Sequence, residues 1–193
     1  MKIPRPSAEL FRLLAIAACI AGIVHIAVTF AMPGAAGQTA FRRLAGTLPL
    51  NTLAILPPVT PSTQPLPYLA ADARYAMCRY DTTDAAVSVE VTLPDAGWLL
   101  AIYSPQGDNF YYVPGQPGRP TRLSLLLVPP GDQAPSAPIE ADTGPRSGAP
   151  AIVASRQGVV VVKAPIRGIA YDGTAEQELR RARCQVHAPT RTN

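Results

Sequence analysis

The chain has 193 residues, 48% of them hydrophobic and 16% charged, with 22 prolines and a formal net charge of +4. Half of that charge sits in the first 32 residues (Lys2, Arg5 and Arg12 against Glu9), so the rest carries only +2, without the one-sided basic surface of a nucleic-acid binder. Once an N-terminal apolar run is set aside, about 160 residues remain, enough for one modest domain with its own core.

That run, residues 13–32 (LLAIAACIAGIVHIAVTFAM), contains no Asp, Glu, Lys or Arg. As a helix it spans about 30 Å, the thickness of a hydrocarbon core, and it reads as a transmembrane signal anchor. The basic residues before it keep residues 1–12 in the cytoplasm and send the remainder across the inner membrane into the periplasm. Two other readings stay open. Gly34-Ala35-Ala36 offers a cleavage site, although the apolar stretch exceeds the roughly 7–15 residues of a cleaved signal. Ile16-Ala17-Ala18-Cys19 has the form of a lipoprotein signal, yet apolar residues continue after the cysteine where a polar tether would stand. His25 lies inside the span, and a titratable residue in hydrocarbon is a functional candidate, set against the low cost of inserting a neutral imidazole. Ala18 and Gly22 form a small-xxx-small pair suited to helix packing, a pattern that Ala-rich spans also produce by chance.

Residues 33–72 read as a proline-rich connector, with PPVTPSTQPLP at 57–67, because proline fixes φ and supplies no ladder hydrogen bond. An exported β domain is expected over 73–185. ARYAMCRY (73–80), VSVEVT (87–92), WLLAIYS (98–104), FYYV (110–113), RLSLLLV (122–128), AIVAS (151–155) and GVVVVKA (158–164) read as strands. Continuous apolar runs such as VVVV imply strands covered on both faces. Asp81–Asp84, Pro94–Gly97 and Pro105–Asp108 read as turns, and Arg156-Gln157-Gly158 as the turn of a hairpin. The proline-rich stretch 129–150 reads as a long loop. Thr174 to Cys184 reads as a helix, capped by Thr174, with acid in its first turn and base in its last, Glu176 and Arg180 forming an i,i+4 pair. Residues 186–193 are a tail. The expected fold is therefore mainly β: an N-terminal transmembrane helix, then a small antiparallel β-sandwich or barrel-like domain closed by a C-terminal helix.

Cys78 and Cys184 both fall in the exported part, and in an oxidising compartment they are candidates for a disulfide, with two buried free thiols or a reactive thiol as the alternatives. There is no CxxC.

AMCRYD at 76–81 followed by VSVEVTLPDAGWLLAIYSPQGDNFYYV at 87–113 resembles the bacterial "domain of unknown function 1254" family in a short, membrane-anchored form. The upstream LPLNTLAILPPVTPSTQPLPYLAADARYAMCRYD and the downstream IVASRQGVVVVKAPIRG extend the resemblance over roughly residues 38–185. It implies an all-β, often exported domain, no established activity and no catalytic residues to carry over. Longer relatives pair the domain with a companion domain that is not expected here.

Catalytic constellations are not legible. His187 is the single histidine outside the apolar run, so neither a Ser-His-Asp set nor a multi-histidine metal site can be assembled, and no GxSxG, Walker or Rossmann motif occurs. Asp81, Asp84, Asp95 and Asp108 all sit at turns, where aspartate has structural roles. No metal or cofactor is expected. The remaining candidate is an aromatic group, Tyr68, Tyr75, Tyr80, Trp98, Tyr103, Phe110, Tyr111 and Tyr112. Alternate members fill a core, while Tyr111 and Tyr112 point to opposite faces of one strand. A binding patch is expected around the Gly107-Asp108-Asn109 loop, drawing on Arg79, Tyr103, Asp108, Asn109, Tyr111 and Tyr112. The sequence thus favours a non-enzymatic envelope module that binds a protein partner or a small ligand. The alternative is an enzyme, or enzyme subunit, acting on an envelope substrate.

Overall fold

A strand buried along most of its length needs cover on both faces, and two stretches are of this kind. They are β2 (Ala73–Asp81) and β8 (Gln157–Pro165), which pair antiparallel in the middle of a five-stranded sheet. Around them lie β1 (Ala54–Ile55), β4 (Leu99–Tyr103) and β5 (Asn109–Pro114), in the order β1-β2-β8-β4-β5. A four-stranded sheet packs against it: β7 (Ala151–Ala154), β6 (Thr121–Val128), β3 (Val87–Leu93) and β9 (Arg183–Val186), in that order. This computed structural model describes residues 8–35, 39–131 and 150–187. The loop expected over 129–150 and the tail over 186–193 therefore lie mostly outside the described residues. Among the described residues all pairings between these strands are antiparallel except β6 with β7, and the sheets form an open sandwich rather than a barrel.

Alternation sorts the side chains into two cores. Cys78, Tyr80, Leu100, Ile102, Val160 and Val162 face Val87, Val89, Leu93, Leu125 and Leu127 between the sheets. The other face of the five-stranded sheet presents Ala73, Tyr75, Met77 and Val159, and is covered by Leu44, Leu48 and Leu56 with flanking Leu66 and Leu69. That cover comes from the stretch read as a connector. Its Thr39 caps a short helix, α2 (Ala40–Ala45), by accepting the Arg42 N–H, and its strand β1 pairs with β2. The stretch 39–72 belongs by packing to the same compact unit as the sandwich, Thr39–Asn193.

Two local expectations are corrected. Arg156-Gln157-Gly158 is not a hairpin turn, since β7 lies in one sheet beside β6 and β8 in the other between β2 and β4. Ser155–Arg156 is instead a corner where the chain changes sheets. The C-terminal helix, α3, spans Ile169–Arg181 rather than Thr174–Cys184. Its first turn is anchored by Asp172, which accepts two hydrogen bonds from the nearly buried Arg74 (2.5 and 2.7 Å), an acid also suited to the helix N-terminus. At Ala182 the backbone turns extended, and β9 then pairs with β3, placing Cys184 on a strand. Cys78 and Cys184 are disulfide-bonded across the two sheets, closing a separation of 106 residues.

The unit Met1–Gln38 contains α1 (Ala8–Ala35). Its stretch Ala8–Met32 is long and apolar enough to cross a membrane, a test that a signal sequence also passes. Thr29 satisfies its hydroxyl within the helix by donating to the His25 carbonyl at 2.7 Å.

Candidate functional site

The corner between β7 and β8 is held from behind. Thr82, fully buried, donates its N–H to the Arg156 carbonyl (2.8 Å) and its hydroxyl to the Ser155 carbonyl (2.9 Å). The Tyr80 hydroxyl pairs with Ser155 Oγ at 2.8 Å, and burial pushes the phenol up to about 12. Gly158 follows the corner because a Cβ there would collide with the Tyr80 ring and the Tyr103 carbonyl. Asp81 accepts from the Thr83 hydroxyl and N–H on one oxygen and from Gln157 Nε2 on the other (2.7 Å). These bonds, Thr83 foremost, hold its carboxyl below the usual range, and the nearby Arg156 charge adds to the effect. Asn51, in a left-handed conformation (φ 52°), bonds the Asp81 N–H and carbonyl with its side-chain amide.

The β4–β5 turn lies alongside. Ser104 Oγ accepts the N–H groups of Gln106 and Asp108 and donates to the Asp108 carboxylate (3.1 Å), and Gly107 takes the positive φ that closes the turn. The register shifts between Ile102 and Tyr103, so that Asn109 and Tyr111 pair with β4 and Phe110 is the extra residue, 43% exposed. Turn and corner together bound an open cleft of about 450 Å³, with Ser104, Gln106, Phe110, Ser155, Arg156 and Gln157 among its lining residues.

The expected patch residues separate. Tyr103 and Asn109 pair across the strands beside this cleft, and Asp108 caps its turn. Arg79 lies in the same cross-strand row, two strands from Tyr103 with Val159 between them, its Nε buried without a partner. Tyr111 turns into the inter-sheet core, where burial raises its phenol, while Tyr112 is 52% exposed. The divergence of these two tyrosines is the one the strand period requires. Arg156 and Gln157 were legible only as turn residues, because the partners that fix the corner are more than 70 residues away in sequence. At the opposite end of the sandwich, Asp95 accepts the N–H groups of Gly118 and Ala96 and pairs with Arg167, which together bring its carboxyl down to about 2. It joins three loops.

A family model described as "Protein of unknown function (DUF1254)" matches residues 50–168. The chain belongs to this family. The DUF1254 match runs from the residue bridged to Arg79 through β8, and so includes the corner and the cleft. No curated protein sequence matches the chain. The VPA0106 protein from Vibrio parahaemolyticus, known from a crystal structure, is similar to it with a TM-score of 0.52 at 13% identity, over 76% of this chain and 34% of that one. A putative uncharacterized protein from Burkholderia cenocepacia gives a TM-score of 0.37 at 14% identity, over 60% and 31%. The chain thus spans about a third of each of these structures, and the first likeness extends to the fold alone.

Proposed function

We propose that this DUF1254 protein is a single-pass, inner-membrane-anchored module whose periplasmic β domain binds an envelope protein partner or small ligand without catalysing a reaction. The observation that carries the reading is the cleft at the β7–β8 corner, where guanidinium, amide and aromatic side chains converge on a backbone pinned by Tyr80 and Thr82. Ligand sites combine apolar walls with a few placed polar groups in this way. The turn carboxylates support binding rather than hydrolysis, since Asp81, Asp95 and Asp108 are engaged in holding loops. The disulfide fits an oxidising compartment.

The test is crosslinking in native membranes, purification of the full chain and mass spectrometry of what accompanies it. A specific partner that is lost on Asn109→Ala or Phe110→Ala and retained on Arg122→Ala supports the reading. A partner indifferent to the first two substitutions moves the surface away from the cleft. A preparation that carries no partner ends the protein-binding form of the proposal.

A further inference from the structure

We infer that the cleft takes a small organic monocarboxylate, with Arg156 receiving the carboxylate and Phe110 packing against the apolar body; this rests on the binding-module reading. Four arginines of the domain have carboxylate partners: Arg74 with Asp172, Arg167 with Asp95, Arg180 with Glu176 and Arg181 with Glu178. Arg156 lines the cleft exposed, and among the described residues its guanidinium has no ion pair. The carboxylate that feels its charge, Asp81, has both oxygens occupied by Thr83 and Gln157. The guanidinium fork therefore remains available for a carboxylate from outside, to which it can bond bidentately.

Charge and size narrow the ligand further. The free guanidinium stands near one aspartate, Asp81, so a single negative charge suits the site better than a phosphate dianion. Phe110, lifted out of the ladder by the bulge, and the neighbouring Pro105 and Pro130 offer an apolar wall. A volume of about 450 Å³ accommodates a ligand of a dozen or so heavy atoms, part of it left in water. The anchor is rigid because the Arg156 backbone is held by Thr82, while its side chain is exposed.

The test uses the full chain in phosphatidylcholine nanodiscs, with phenylacetate and its uncharged analogue phenylacetamide as probes, followed by ligand-observed NMR. Phenylacetate is expected to bind at least about tenfold more tightly than phenylacetamide, the worth of one charge-assisted contact. Arg156→Gln should remove that preference, Arg156→Lys should restore part of it, and Phe110→Ala should weaken both probes. An unchanged melting temperature for Arg156→Gln shows that the loss is not unfolding. Equal binding of the two probes, or full phenylacetate binding by Arg156→Gln, overturns the carboxylate assignment while leaving the cleft a binding site. Absence of any binding at millimolar probe also overturns it, whereas the module reading then stands or falls on the crosslinking result.

Discussion

Gly158 is occupied by glycine for lack of room. A methyl group there would meet the Tyr80 ring on one side and the Tyr103 carbonyl on the other. Tyr80 cannot yield, being fully buried and bonded to Ser155. Gly158→Ala is therefore expected to lower stability by about 1–3 kcal/mol, as overpacking of a filled core does, and a thermal melt will show it. In the sequence this glycine resembles an ordinary turn residue, because its neighbour Tyr80 lies far away along the chain. Residues whose roles are local were readable: Asp108 caps a turn, and Tyr111 and Tyr112 diverge by the period of a strand. Arg156 and Thr82 were not, since only the folded corner brings them together.

Among the elements, the strongly patterned strands were legible because burial imposes alternation on β3 and β6 and a continuous run of valines, 159–162, on β8. What escaped was short or masked by composition. Prolines around Leu56 hide the strand β1 and the apolar cover that follows α2, while β9 is four residues without an apolar stripe. Its place is fixed by tertiary partners: pairing with β3 and the Cys78–Cys184 bond. Replacing both cysteines with serine should cost up to roughly 4–5 kcal/mol in the chain-entropy account of so long a loop. Denaturant titration measures the total, and hydrogen exchange should show the protection of β9 amides falling first. Edge strand β5 is blunted by Pro114 at its end, a device that discourages pairing with other chains.

For the whole molecule, the contacts divide the chain at residues 38 and 39, and the second unit takes in the proline-rich stretch expected as a connector. If the apolar helix is a retained anchor, as proposed, the mature protein stays in the membrane pellet after an alkaline wash, and its intact mass includes residues 8–35. A mass beginning after Ala36, with the protein in the soluble fraction, identifies a cleaved signal instead. The order of the strands has a further consequence, one of timing. A chain emerges from its N-terminus, yet β2 waits for β8, more than 70 residues later, and β3 for β9, at the far end of the described residues. Until those late strands arrive, β2 and β3 each lack one ladder neighbour, and Cys78 has no partner. The domain is finished almost all at once, at the end of its own delivery, and an early stop would leave a fragment for proteases and holdases to deal with.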